Sequence, residues 1–255
     1  MSNCITKYVP NTLTCCNLIS GCIATMMAFN GEIKLALVWI IIGVCFDFVD
    51  GMSARLLNVA SPIGKELDSL ADCVTSGVAP STIILYELSI IDYPSILASS
   101  DVVTSFSAYN IIPYFAYIMA AFSALRLAKF NLDTRQTTSF VGMPTPANAL
   151  FWASLVVYNP SWLEGCRGAL LIILVMMLVS CYLLVSEIPM FALKFKHWGL
   201  KGNEIRYGFI LLSVILLAIF GILKGLWVVI ACYILISFGL FITGKTSVSS
   251  KDIVK

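Results

Sequence analysis

The sequence predicts an all-α, polytopic integral membrane protein. Three observations carry this expectation: 59% of the residues are hydrophobic against 12% charged, mean hydropathy reaches +0.93, and apolar runs recur along all 255 residues. A soluble domain carries about 25% charged residues, because its surface must face water. The first run is not expected to be a cleaved leader, since Met1 to Pro10 lacks a Lys/Arg-rich start. A single integral domain spanning 1–255, with no soluble module, is expected.

Eight spans are predicted, and a helix needs about 20 residues to cross hydrocarbon, so the shorter runs must borrow flanking polar residues or thin the bilayer locally. The first, Cys15 to Phe29, is opened by Pro10, Asn11, Thr14 and Asn17, residues suited to cap the free amides of a helix start. The second, Ile33 to Asp50, ends on Asp47 and Asp50. Arg55 to Ser61 breaks the apolar pattern, Pro62 offers a new helix start, and Asp68 and Asp72 lead into the third run, Cys73 to Leu88. A short turn makes these two helices antiparallel neighbours with facing acids.

The fourth span, Ala108 to Phe130, carries Arg126 and Lys129 at its end, with Arg135 beyond. These bases suit headgroup anchors, but a charge inside a helix, such as Arg126, also needs a partner. Phe140 to Pro146, with one glycine and two prolines, predicts a rigid turn into the fifth span, Ala147 to Tyr158. The sixth, Ala169 to Phe191, holds Glu187 beside Pro189, where pairing with a neighbouring base and an approach to a site both remain open. A basic loop, "KFKHWGLKGNEIR", separates it from the last two spans, Tyr207 to Gly221 and Leu226 to Phe241.

An even number of spans places both termini on one side. Of the 16 Lys and Arg residues, all but Lys34, Arg167 and Lys224 then fall on that side, which assigns it to the cytoplasm; the cell inner membrane is the expected location. A net charge of +2 gives no reason to expect nucleic acid. The nine cysteines form no C-x-x-C pair and mostly lie in or beside apolar runs, so no disulfide framework is expected. The lone His197 excludes a His-rich metal site.

Four aspartates in so apolar a region demand an explanation. Asp47 and Asp50 are three apart, Asp68 and Asp72 four apart, the spacings that align side chains on one helical face. Acids at helix ends can simply face water or suit the helix dipole. Two facing pairs, however, would repel unless a cation lay between them, and all-oxygen ligation favours a hard divalent ion, Mg2+ or Mn2+. Gly51, Ala54 and Gly64 leave open surface beside the acids, which serves close helix packing or a ligand. Arg55 supplies a donor fork suited to phosphate. Carboxylates, metal and arginine together suggest phosphoryl transfer.

The stretch "DFVDGMSARLLNVASPIGKELDSLAD", residues 47 to 72, resembles the signature of the CDP-alcohol phosphotransferase family, without a departure at any fixed position. The resemblance implies a six-helix membrane core, here 10–191, with two additional transmembrane helices over 207–241. It implies that Asp47, Asp50, Asp68 and Asp72 bind a pair of divalent ions, that Asp72 also acts as general base with Asp68 beside it in the catalytic set, and that Gly51, Ala54, Arg55 and Gly64 with Asp50 shape the CDP pocket. Family position adds Asn11 and Thr14 to that pocket.

"PNTLTCCNLISG", "SALRLAKFN" and "FVGMPTPANA" resemble the branch of the family that joins CDP-diacylglycerol to L-serine, giving phosphatidylserine and CMP. A serine carboxylate needs a cationic partner, for which Arg126 is the first candidate, with Lys129 and Arg135 behind it. The four aspartates alone leave glycerol phosphate and inositol phosphate open as acceptors. Membrane phospholipid is an expected partner, and a homodimer is compatible with this reading. A cation transporter is the competing class, but its acids belong near mid-membrane, whereas these cluster towards one face.

Overall fold

The computed structural model describes residues 4–59, 61–90, 111–133, 140–158, 169–191, 199 and 203–243. Among them the chain forms eight helices: α1 (Cys4–Phe29), α2 (Ile33–Leu56), α3 (Pro62–Ile90), α4 (Tyr117–Leu132), α5 (Thr145–Tyr158), α6 (Ala169–Val185), α7 (Glu204–Phe220) and α8 (Ile222–Ile242). Tyr8–Phe29, Ile33–Leu56, Pro62–Ile90 and Ile222–Ile242 are long and apolar enough to cross a membrane. The chain is therefore an all-α polytopic membrane protein, as the composition predicts. Leu171, Val175, Leu178 and Tyr182 follow one another at helical spacing on the exposed face of α6, an arrangement suited to lipid rather than water.

Helix ends differ from the expected ones for physical reasons. α1 begins before Pro10 and carries that proline inside it, so Asn11, Thr14 and Asn17 lie within a helix and do not cap one. α2 runs on to Leu56, which places Arg55 in its last turn. Pro62 does open α3, with Ser61 as N-cap; the Ser61 Oγ accepts from the Gly64 amide at 3.1 Å. α6 ends at Val185 instead of reaching Phe191. There the chain turns extended, and Pro189–Met190 pairs antiparallel with Phe140–Val141. Gly142, at φ +76°, makes that corner possible, because a Cβ on it would lie 2.8 Å from the Leu184 carbonyl oxygen. The predicted rigid turn is this corner.

α3 widens into a π-helical stretch over Cys73–Val78, immediately after Asp72. Such stretches admit an extra residue into a turn and re-aim the side chains around it. Thr75 uses the opening to donate to the Asn17 carbonyl at 3.0 Å. The three helices close tightly here; a Cβ on Gly43 of α2 would stand 2.6 Å from Thr75 Cγ2 and 2.9 Å from Asn17 Oδ1. Small residues at this crossing let the backbones approach, the usual device for packing helices where lipid supplies no hydrophobic drive between them.

Two large apolar cores fill the bundle, and a third, smaller one of Met143, Met190 and Ile230 packs the Gly142 corner against α8. Of the large cores, one joins α1, α2, α3 and α5 through Ala24, Ala28, Leu37, Ile40, Ile83 and Ala153; the other joins α3 to α6 through Ile84, Leu88, Met119, Trp152 and Met177. Trp152 keeps its indole N–H satisfied by Ser180 Oγ at 3.0 Å. α8 is bound into the core by Ser154 of α5, which donates to the Leu223 carbonyl at 2.7 Å and accepts from the Trp227 amide at 3.1 Å. Both large apolar cores leave the acid-bearing end of α2 and α3 as the polar end of the bundle.

Candidate active site

Helical spacing brings the acids together as expected, and the antiparallel pairing of α2 and α3 completes the set. One carboxylate oxygen each from Asp47, Asp50 and Asp68 lies within 4.8 Å of the others. Asp47 and Asp68 face each other within hydrogen-bonding reach, an approach that needs a proton or a cation between two carboxyl groups. Asp68 Oδ1 is buried without a hydrogen-bond partner. An orphaned buried carboxylate oxygen costs several kcal/mol if nothing compensates it. This donor set, all carboxylate and partly dehydrated, fits a hard divalent cation.

Asp72 stands apart from that three-carboxylate group but within electrostatic range of Asp47, Asp50 and Asp68. It is buried, and its Oδ1 accepts from Asn17 Nδ2 at 3.2 Å. Arg126 of α4, also buried, lies within electrostatic range of Asp72. The Arg126 guanidinium stacks over the Phe130 ring at 5.1 Å.

A cleft of about 250 Å³ adjoins the acids, and Asn11, Thr14, Asp50, Gly51, Ala54, Arg55 and Gly64 all line it together with Asp68. Thr14 donates from Oγ1 to the Asp50 carboxylate and to the Pro10 carbonyl. Gly51 has open space where a Cβ would stand, whereas a Cβ on Gly64 would come within 3.2 Å of Asn11 Oδ1. Arg55 is exposed at the mouth, with Nε donating to the Gly51 carbonyl at 2.9 Å, so the rest of its fork faces outward from its own helix. Lys65 also lines the cleft and donates to the Asn131 carbonyl at 2.8 Å. Sequence reasoning passed over Lys65, although its place between Gly64 and Asp68 was a signal.

A second cavity, of about 350 Å³, is lined by Arg126, Lys129 and Asp133 together with Ser186 and Glu187. Arg135 lies outside the described residues. Asn17, expected to serve only the helix start, is instead the hydrogen-bond partner of Asp72. No local pattern could have indicated that pairing, since 55 residues separate the two.

A helical membrane bundle with a carboxylate cluster beside a cleft defines the class. Residues 7–185 match the CDP-alcohol phosphatidyltransferase family, and the chain belongs to that family. Among individual proteins, it is 34% identical over 200 residues to the CDP-diacylglycerol--serine O-phosphatidyltransferase of Bacillus subtilis (strain 168), covering 78% of this chain and 95% of that one. It is 29% identical over 196 residues to the Helicobacter pylori (strain 26695) protein of the same name, covering 75% of each. The archaetidylserine synthase of Methanothermobacter thermautotrophicus is 27% identical over 186 residues, covering 71% of this chain and 70% of that one. The family match ends with α6, so α7 and α8 lie beyond it.

Proposed function

We propose that the chain transfers the phosphatidyl group of CDP-diacylglycerol to the hydroxyl of L-serine, releasing CMP and forming phosphatidylserine. The observation that carries this reading is the cleft itself: all seven residues that the family signature and N-terminal element assign to CDP line one space, which ends at the carboxylates. The serine phosphatidyltransferases of Bacillus subtilis and Helicobacter pylori, to which the chain is similar, favour serine as acceptor.

Asp47, Asp50 and Asp68 would hold divalent metal, Mg2+ or Mn2+ as a pair of ions, with Asp72 completing the set. When bound, the metal supplies positive charge to the phosphate oxygens and orients them. The chain's own groups do the rest. Thr14, Asn11 and the bare surfaces of Gly51, Ala54 and Gly64 bind and orient the cytidine diphosphate. Arg55 and Lys65 meet phosphate charge at the mouth. Asp72, fixed by Asn17 and flanked by Arg126, takes the proton from the acceptor hydroxyl as it attacks phosphorus. Arg126 and Lys129 receive the serine carboxylate, with Arg135 as a further candidate.

The acid-bearing end faces the cytoplasm of the inner membrane in this reading, because water-soluble serine and CMP exchange there while the diacylglycerol tails stay among membrane phospholipids. Labelling of a cysteine introduced beside Lys251 only from the outer side would contradict it. A homodimer belongs to the same reading and is checked by crosslinking in native membranes. The deciding experiment gives purified protein CDP-diacylglycerol and divalent metal, then compares CMP release with L-serine, sn-glycerol 3-phosphate and inositol 1-phosphate. Serine should drive release; release with glycerol phosphate but not serine overturns the acceptor while leaving the carboxylate chemistry intact.

A further inference from the structure

Glu187 is exposed, but its backbone is not free to wander. The neighbouring Ile188 carbonyl accepts from the Gly142 amide at 2.9 Å, and the Phe140–Val141 ladder fixes Pro189 and Met190 directly after it. Ser186 donates to the Leu183 carbonyl at 3.0 Å on one side. On the other, Tyr233 of α8 donates to the Phe191 carbonyl at 2.9 Å. Glu187 is held in the lining of the cavity that also takes Arg126 and Lys129, where Asp133 at the end of α4 is the other acidic residue. Among the described residues, no ion pair joins Glu187 to either base across that space.

A cavity built for a phosphate-bearing acceptor needs cations alone, and a carboxylate in its wall repels the doubly charged ligand. An amino acid presents the opposite requirement, since its carboxylate and ammonium leave the same carbon and demand partners of both signs. We infer that Glu187 is the ammonium-binding, specificity-determining residue of the second cavity, which makes that cavity a receptor for a zwitterionic hydroxy amino acid. Arg126 then binds the carboxylate, and the hydroxyl is left towards Asp72, which lies within electrostatic range of Arg126. The inference rests on the proposed serine reaction and adds what the cationic wall cannot supply, a reason to reject anionic acceptors.

The test uses full-length protein in lipid nanodiscs with CDP-diacylglycerol and Mg2+, measuring CMP release as L-serine is varied. Glu187→Gln should raise the KM for serine by about 10-fold to 100-fold, the loss of one charged hydrogen bond. The turnover number and the KM for CDP-diacylglycerol should stay close to wild type. Glu187→Asp, which keeps the charge, should recover part of the serine affinity. Inhibition by 3-hydroxypropionate, which has the hydroxyl and carboxylate but no ammonium, should be unaffected by Glu187→Gln. A rise in serine KM smaller than about fivefold, or equal rises for serine and CDP-diacylglycerol, overturns the role of Glu187 while serine-driven release in the wild type leaves the reaction standing. Wild-type release with glycerol phosphate and none with serine overturns the reaction and this inference together.

Discussion

The two cavities are built in opposite ways. The first is lined mainly by residues 50 to 68 of two consecutive helices, with Asn11 and Thr14 added from α1. The second takes Arg126 from α4, Val141 from the ladder strand and Glu187 from the segment after α6. One is a local motif folded back on itself, the other a junction of distant segments. The difference separates chemistry common to a family from choice of partner. Groups that must hold metal and diphosphate at fixed separations are best carried on one antiparallel helix pair, whose spacing is set by helical geometry. Groups that select an acceptor can come from separate elements, each of which can change without disturbing the first set.

Removing a carboxylate from the first region should have the largest effect. Asp68→Asn takes away an oxygen that is buried and unpartnered in the protein, and the activity should fall by about 1,000-fold or more, as expected when several kcal/mol of metal-derived charge stabilisation is lost. Chelation by EDTA should abolish CMP release in the unaltered protein, with recovery on adding Mg2+ or Mn2+. Full activity after rigorous metal removal would break the assignment of this region.

Asp72 lies within electrostatic range of Asp50 and Asp68 of the first region and of Arg126 of the second, and its substitution tests whether they share one base. Asp72→Asn nearly preserves size and can still pair with Asn17, so CDP-diacylglycerol binding should persist while turnover drops by about 100-fold to 10,000-fold. Retained turnover with lost donor affinity would place Asp72 wholly on the donor side. A smaller, one-sided effect is expected at Arg126. Arg126→Gln should raise the serine KM by about 10-fold to 100-fold and that of CDP-diacylglycerol much less, since only the acceptor carboxylate loses its charged partner. Equal rises for both substrates would mean that Arg126 serves Asp72 and not the second cavity.

The smallest effect on rate, though measurable as stability, is expected at the corner that shapes the second cavity. Gly142→Ala forces a Cβ against the Leu184 and Ser186 carbonyls at a positive φ. It should destabilise the protein by about 1–3 kcal/mol, read as a lower midpoint of thermal denaturation in detergent. The serine KM should rise modestly, with donor binding unchanged. A donor KM that moved instead would show the two regions to be mechanically coupled.

Much of this protein was legible in the order of its residues. Composition and recurring apolar runs determined the helical membrane class, because a chain that cannot face water has to satisfy its backbone internally. The spacings of Asp47 with Asp50 and of Asp68 with Asp72 determined that each pair shares a helix face, and Pro62 marked where α3 begins, since the fixed backbone of proline and the helical period are local physics. The family signature carried the cleft for the same reason.

Only the tertiary structure decided the remainder. It grouped Asp47, Asp50 and Asp68 more closely than Asp72, gave Asn17 to Asp72 across 55 residues of sequence, and stopped α6 at Val185 so that Pro189–Met190 could pair with Phe140–Val141. It also brought Glu187 into the lining of the cavity of Arg126 and Lys129, an arrangement that the basic and acidic residues could not announce separately. Helical period and capping act within a few residues, whereas pairings between elements depend on which surfaces the packed cores leave free, and that is a property of the folded bundle as a whole.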